Sequence, residues 1–149
     1  MLQGARSLLV GYHSLLTHTI FVTLSWKKIY KGYPNSREFI CILLHDIGYI
    51  FQENVIRSKE DKHPELGAKI CGYLFGDKYY QLCIGHSRDY ASNIGIELTK
   101  LGYADKYCVL LMPTKIQRII SILDYGKTID IYQIKETYLK WWNENGQNA

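Results

Sequence analysis

Residues 39–49 read FICILLHDIGY, and this stretch decides the fold. Its six consecutive apolar residues are too few to cross a membrane and do not alternate, so they predict a helix buried on most sides. The helix ends in two adjacent polar residues, His45 and Asp46, whose burial costs several kcal/mol unless each has a partner. A metal ion is the simplest partner, and an ordinary His–Asp hydrogen bond in the core is the alternative. We expect Gly48 to close the helix in a left-handed conformation.

The size and charge of the chain favour one small domain. A length of 149 residues suits a single domain over residues 1–149, with a core at about 13–113 and C-terminal helices at 114–146. The net charge of +4 is mild and spread along the sequence, which fits an anionic small molecule better than duplex nucleic acid. We therefore do not expect a nucleic-acid partner.

Two features bear on the cellular compartment. Residues 7–26 carry no formal charge and have roughly the length of a membrane span, but their many Ser, Thr and His residues argue against insertion into lipid. The four cysteines include no Cys-x-x-Cys pair, which indicates reduced core residues in a cytoplasmic protein rather than a zinc knuckle or a disulfide framework. These cysteines are Cys41, Cys71, Cys83 and Cys108.

The spacing of apolar residues predicts an all-α protein that packs as an irregular helical bundle, because no convincing period-two run occurs. Two capping-box patterns, Asn35 with Glu38 and Thr114 with Gln117, predict helix starts. Irregular structure is expected at residues 52–62 and 87–93. The predicted helices are one to about Tyr30 with a break near Gly11, a central helix to Asp46, helices from near His63 and after Gly76, one over residues 95–111, one from Thr114 and a last one from Asp130.

Ionisable residues fall on the apolar faces of several predicted helices. Burying them separately would use much of the roughly 5–15 kcal/mol by which a domain is stable, whereas a shared cation makes their burial favourable. We predict one metal bound by four residues and a second bound by two histidines, with Asp46 as the bridge. The ligands predicted for the first metal are His18, His45, Asp46 and Asp105, and those predicted for the second are His63 and His86.

Two questions about the predicted metal site stay open at this stage: which histidine is the first ligand, and which metal binds. His13 is interpreted as a core residue, but an exchange of His13 and His18 as first ligand is the main alternative. Imidazole and carboxylate ligands without thiolate suit Mn, Fe, Co, Ni or Mg. A pair of such ions lowers the pKa of bound water and screens the charge of a phosphoryl group, so the pattern predicts hydrolysis of a phosphate ester.

The order His18, then His45-Asp46, then Asp105 resembles the H…HD…D signature of the HD-domain superfamily of metal-dependent phosphohydrolases, over about residues 13–113. His63 and His86 resemble the extra histidines of its two-metal branches, the HD-GYP cyclic-dinucleotide phosphodiesterases and the HD-type diadenosine tetraphosphate hydrolases. The chain also resembles small stand-alone HD proteins of phage and bacterial genomes, which would place it in the host cytoplasm if phage-encoded.

Two departures from the two-metal branches are visible. Those branches usually carry a lysine three residues after the HD aspartate, where this chain has Tyr49, so a phosphate contact is lost or supplied elsewhere. The GYP segment is also absent, which disfavours HD-GYP proper.

For substrate contacts, Arg88 and Lys106 are the candidate phosphate-binding cations and, with Asp46, the candidate catalytic residues. Tyr49 and Tyr90 are candidates for stacking on a base. The resemblance and the residues together predict an enzyme that cleaves a phosphodiester or phosphoanhydride bond of a nucleotide, with a dinucleotide or cyclic nucleotide signal favoured.

Three alternative functions remain. The protein could be a nucleoside monophosphate phosphatase, or a non-catalytic sensor that binds metal and nucleotide. It could also be an interaction protein whose C-terminal helix, with Trp141 and Trp142, docks a partner or forms a homo-oligomer.

Overall fold

The computed structural model describes residues 2–53 and 61–149. This part of the chain forms nine α-helices and two short 3₁₀ helices and contains no β-strand, which confirms the all-α prediction. The 3₁₀ helices are Ile47–Phe51 and Gly146–Asn148. The α-helices are α1 (Gln3–Val10), α2 (Thr17–Tyr30), α3 (Ser36–Leu44), α4 (His63–Phe75), α5 (Asp77–Ile84), α6 (Arg88–Ile94), α7 (Lys100–Leu111), α8 (Thr114–Tyr125) and α9 (Ile131–Asn145).

Several helix boundaries follow from local sequence as predicted. The side chain of Asn35 accepts hydrogen bonds from two backbone N–H groups of α3, and Glu38 accepts one from the Asn35 N–H at 2.8 Å, so the capping box is confirmed. Asp130 accepts from the Gln133 N–H at 3.0 Å and thereby caps α9. The first helical region breaks after Val10, next to Gly11, as expected.

The end of the central helix differs from the prediction. α3 stops at Leu44, and Gly48 lies inside a 3₁₀ helix without a positive φ, so the expected left-handed closure is wrong. A Cβ atom on Gly48 would lie 2.1 Å from the carbonyl oxygen of His63. Glycine is therefore required here for the close approach of the chain to the start of α4.

The segment predicted as irregular at residues 87–93 is also different, because it forms most of α6. Gly95, at a φ of 72°, ends that helix. α7 then begins at Lys100, behind a Thr99 cap, and not at residue 95. The predicted loop at 52–62 falls largely on residues 54–60, which lie outside the described residues.

The predicted capping box of Thr114 with Gln117 is wrong. Pro113 precedes α8, and no side chain caps the first turn of that helix. Gln117 instead turns inward, where its Nε2 donates to the carbonyl oxygens of Val109 at 2.6 Å and Met112 at 3.1 Å. These carbonyls belong to the last turn and the C-cap of α7, where helices leave acceptors unsatisfied, so a tertiary contact has displaced the local one.

The main core lies between α2, α3, α4, α5 and α7, where residues such as Val22, Ile42 and Leu101 are fully buried. The C-terminal helix α9 packs on α7, with the Trp142 ring centroid 4.6 Å from that of Tyr107. The two C-terminal tryptophans thus contact their own chain. Within residues 2–53 and 61–149, no helix combines the length and hydrophobicity that a membrane crossing needs.

Candidate metal centre

The side chains predicted as metal ligands come from five separate parts of the fold and meet at one place. His18 lies on α2, His45 and Asp46 follow α3, and Asp105 lies on α7. The two remaining histidines stand at the first residue of α4 and just after α5. All four imidazoles turn their Nε2 atoms towards Asp46, at distances between 3.3 and 3.5 Å from its carboxylate.

The first ligand set consists of His18, His45, Asp46 and Asp105. The Nε2 atoms of the two histidines are 3.3 Å apart, and each lies within 3.4 Å of Asp46 Oδ2. Asp105 Oδ1 lies 3.0 Å from His18 Nε2 and 3.9 Å from His45 Nε2. His18, His45 and Asp46 thus offer ligand atoms within 4.8 Å of one another, and Asp105 approaches this group next to His18.

The second ligand set consists of Asp46, His63 and His86. The two Nε2 atoms are 3.1 Å apart and lie 3.5 and 3.3 Å from Asp46 Oδ1. Asp46 thus directs one oxygen to each set. A bridging carboxylate is the arrangement that paired hydrolytic metals use.

The spacing of these atoms fits metal coordination. Bonds of roughly 2.1 Å with angles of about 90–120° hold ligand atoms roughly 3.0–3.6 Å apart. The distances that each histidine makes within its set meet this expectation except the 3.9 Å between His45 and Asp105. The residues could therefore hold divalent ions with small adjustments of side chains.

The outer nitrogens of three imidazoles are fixed by acceptors. His45 Nδ1 donates to the Ile42 carbonyl and His86 Nδ1 to the Cys83 carbonyl, each at 2.6 Å. Because a carbonyl cannot donate, the proton of each neutral ring stays on Nδ1 and the Nε2 lone pair points inward. His63 Nδ1 donates to a carboxylate oxygen of Asp61 at 2.8 Å, with the same result.

One carboxylate oxygen of Asp46 is in an unusual environment. Its Oδ2 is buried and has no hydrogen-bond partner, although two Nε2 atoms lie close to it. Since a buried carboxylate oxygen without a donor is unfavourable, this atom is better suited to a cation than to the surrounding lone pairs. The donor set, of imidazole nitrogens and carboxylate oxygens, suits borderline to hard divalent ions.

The pKa values of two histidines also suit a cation beside Asp46. Burial alone would lower the pKa of His45, but the carboxylates of Asp46 and Asp105 outweigh it and raise this pKa to about 9. Burial lowers the pKa of His86 to about 4, so that ring is neutral, the form in which imidazole binds metals. Positive charge is thus favoured beside the two carboxylates, where a metal ion would replace the proton of His45, and His86 already offers a lone pair.

Glycines allow the close packing that brings the two sets together. A Cβ atom on Gly67 of α4 would lie 2.4 Å from the Leu44 carbonyl oxygen and 3.1 Å from the Cα atom of His45. Together with Gly48, this glycine lets α4 and the end of α3 approach backbone to backbone. His63 can therefore reach the carboxylate that follows His45.

His13 occupies a different position from His18. Its Nδ1 lies 2.9 Å from Ser7 Oγ, and its ring centroid is 6.1 Å from that of His18. It lines the same cavity, but it does not join either ligand set. The geometry therefore favours His18 over the alternative.

The predicted substrate-binding residues all line one cavity of about 460 Å³ that opens beside the ligand sets. Lys106 pairs with Asp105, and the half-exposed Arg88 pairs with Asp89 at 3.2 Å. Tyr90 donates a hydrogen bond to Glu65 at 3.0 Å.

Tyr49 is the exception among these candidates because it is buried. Its ring stacks on His63, with centroids 4.1 Å apart, and packs against His13 at 4.2 Å. The contacts of this ring are thus with imidazoles of the site, which makes it a positioning residue for His63 more than a platform for a base.

Sequence reasoning missed two residues that contact the ligands. Asp61 holds His63 through both its ring nitrogen and its backbone N–H, at 2.8 and 3.0 Å. The Asp two residues before a helix start was a usable signal for this contact. Cys108 Sγ lies 3.7 Å from His18 Nδ1, one turn beyond the ligand Asp105 on α7.

A second group of potential ligands was also missed. The sulfur atoms of Cys41, Cys71 and Cys83 lie within 4.8 Å of one another, and all three residues are fully buried and free of disulfides. They are core residues as predicted, but they are not far apart in space. They belong to α3, α4 and α5, so only tertiary packing brings them together.

In comparisons with known proteins, no family model, no curated protein and no solved structure matches the chain. Functional inference therefore depends on the residues themselves.

Proposed function

We propose that this protein is a metal-dependent phosphohydrolase of the HD-domain type, which cleaves a phosphodiester or phosphoanhydride bond of a nucleotide. The observation that carries the proposal is the pair of ligand sets that share Asp46 and border one cavity. Divalent ions bound there would act as Lewis acids on a phosphoryl oxygen and would lower the pKa of water.

The chain's own residues have distinct parts in this proposal. Asp46 contributes one carboxylate oxygen to each ligand set and so couples them. The imidazoles, held by their Nδ1 bonds, keep their lone pairs aimed at fixed points. Rigid ligands of this kind need little reorganisation when a substrate binds.

Two cations at the cavity support an anionic substrate. Lys106 lies beside the ligand Asp105, with a side chain only 16% exposed, so its ammonium group is placed close to the first ligand set. Arg88 is more exposed and would exchange Asp89 for phosphate oxygens, which guanidinium binds bidentately. In this proposal Lys106 supplies the phosphate contact of the lysine that the two-metal HD branches usually carry at the position of Tyr49.

A turnover assay tests the proposal. Protein loaded with Mn²⁺ or Fe²⁺ is offered cyclic mononucleotides, cyclic dinucleotides, dinucleoside polyphosphates and nucleoside 5′-monophosphates, and product is followed by chromatography. We expect hydrolysis of at least one phosphodiester or phosphoanhydride substrate, a loss of that activity in Asp46→Asn and retention in Asp77→Asn. Asp77 is an exposed aspartate of α5 outside the cavity and serves as the matched control.

Three outcomes would contradict the proposal. Cleavage of monophosphates alone would assign a nucleotide phosphatase, and tight nucleotide binding without product would assign a sensor. Equal activity of Asp46→Asn and Asp77→Asn would show that the shared carboxylate is not part of the catalytic site.

A further inference from the structure

The cavity continues from the metal ligands to a wall formed by α7, α8 and α9. Met112, Ile134 and Tyr138 contribute to this wall, so it offers apolar and aromatic surface in place of further charge. Such a wall suits the flat, weakly polar faces of a nucleobase. A polar group buried in it would select among bases.

Gln117 is that polar group. It is 1% exposed, comes from the first turn of α8 and lines the cavity. Its Nε2 donates one hydrogen to the Val109 carbonyl and the other to the Met112 carbonyl. Because both neighbours are acceptors, the amide cannot be flipped, and its nitrogen must face α7.

The orientation leaves Gln117 Oε1 as the unusual atom. This oxygen is buried and has no hydrogen-bond partner among the described residues. A buried acceptor without a donor is unfavourable, and such groups in native proteins call for an explanation. Because Gln117 lines the cavity, a ligand that displaces the atoms covering this oxygen and brings an N–H group to it would satisfy it.

We propose that Gln117 is a specificity-determining residue, whose Oε1 accepts a hydrogen bond from an N–H group on the base of a bound nucleotide. This inference rests on the proposed function, because it takes the ligand to be a nucleotide whose phosphates face the metal sets. The site then prefers bases that present a donor edge and discriminates against bases whose N–H groups are absent or methylated. A ligand without the donor would leave Oε1 unpaired inside the complex.

The test measures binding and not turnover. Dissociation constants for metal-loaded protein are determined by calorimetry for pairs of nucleoside 5′-(α,β-methylene)diphosphates, in which a P–C–P bridge prevents hydrolysis. Each pair sets a natural base against an analogue without its N–H donors, such as adenosine against purine riboside and uridine against N3-methyluridine. For at least one pair we expect the natural member to bind roughly 5- to 150-fold more tightly, the effect of one unpaired buried acceptor. In Gln117→Met the difference within that pair should disappear, whereas the exposed Gln81→Met on α5 should keep it.

The outcomes separate this inference from the proposed function. Equal affinity for both members of every pair, or no nucleotide binding, overturns the inference. This comparison uses the unmodified chain, so its result is decisive even if Gln117→Met does not fold. A preference that survives in folded Gln117→Met overturns the assignment to Gln117. Hydrolysis of a nucleotide in the turnover assay would uphold the proposed function in any of these cases.

Discussion

Two buried aspartates of this protein have opposite surroundings. Asp124 on α8 is fully buried; its Oδ2 accepts hydrogen bonds from Ser7 Oγ at 2.7 Å and from the Tyr12 N–H at 3.1 Å, while its Oδ1 has no hydrogen-bond partner among the described residues. Asp46 is nearly as buried, yet its Oδ2 has no hydrogen-bond partner, and the atoms near it are imidazole nitrogens. One oxygen of Asp124 thus accepts two protons from the chain itself, whereas the nearest polar atoms to both oxygens of Asp46 are imidazole nitrogens that converge on it from four histidines.

The difference separates a structural carboxylate from a candidate metal ligand. At Asp124 the donors belong to the N-terminal part of the chain, and Arg6 adds a hydrogen bond to the Asp124 backbone carbonyl at 2.6 Å, so the network joins α1 to α8. At Asp46 the Nδ1 protons of three nearby imidazoles are committed to backbone carbonyls and to Asp61. Burial of a carboxylate alone therefore does not indicate a metal site, whereas burial among several converging imidazoles makes Asp46 a candidate ligand.

The largest expected contrast is in catalysis. Asp46→Asn should lower nucleotide hydrolysis at least roughly 1,000-fold, because Lewis-acid stabilisation is worth several kcal/mol. Asp124→Asn keeps an oxygen that can accept from Ser7 and Tyr12. Its rate of nucleotide hydrolysis should therefore stay within about threefold of that of the unmodified chain at temperatures below its unfolding transition. Steady-state kinetics with saturating Mn²⁺ measure both. Comparable losses in the two variants would remove the distinction.

Metal removal should distinguish the two aspartates next. Ions present at roughly 100 to 1,000 times their dissociation constant stabilise the folded chain by about 3–4 kcal/mol per site. A chelator should therefore lower the Tm of the unmodified chain and of Asp124→Asn by roughly 10 °C for each ion removed. Asp46→Asn, measured by the same calorimetric scan, should show almost no response. A full response in Asp46→Asn would mean that the ions bind elsewhere.

Removing the structural carboxylate should cost stability without costing metal. Asp124→Ala leaves the buried Ser7 hydroxyl and the Tyr12 N–H without their acceptor, which should lower the free energy of unfolding by about 1–3 kcal/mol. Urea titration of the metal-loaded chain measures this change, and elemental analysis of the same sample should give an unaltered ion content. A loss of ions would show that the network supports the metal sets.

The smallest effect sharpens the description of the second ligand set. Asp61→Asn weakens the acceptor that orients His63, and contacts of this kind typically change metal affinity by roughly 10- to 100-fold. We expect the weakening for one ion only, since Asp61 has no contact with His18 or His45. A competitive titration with a metal indicator resolves the two affinities. Equal weakening of both would place Asp61 in a wider role.

The helices and the candidate ligands could be predicted because each has a local cause. Asn35 and Glu38 form their capping box between neighbouring residues, and Asp105 is visible as an acidic residue in an apolar stripe. Gln117 matches the capping pattern equally well, yet its amide binds carbonyls at the end of α7. Its environment depends on where another helix ends, which no local pattern contains.

The remaining errors have the same origin. Gly48 was expected to adopt a left-handed conformation, but its small size serves the contact with the His63 backbone. The three clustered cysteines come from separate helices, and each alone is typical of an apolar face. The role of Gly48 and the clustering of the cysteines thus both depend on contacts between elements far apart in sequence. The resemblance to the HD-domain superfamily stays a prediction.

The central claim is that two cations share Asp46, and a count of ions tests it most directly. Chain purified with excess Mn²⁺ and then dialysed should contain about two ions by elemental analysis, since each ligand set holds one. His86→Gln should retain about one ion in the first ligand set, His18→Gln about one in the second, and Asp46→Asn close to none. An unmodified chain without ions, or variants that all bind as many ions as the unmodified chain, would contradict the account.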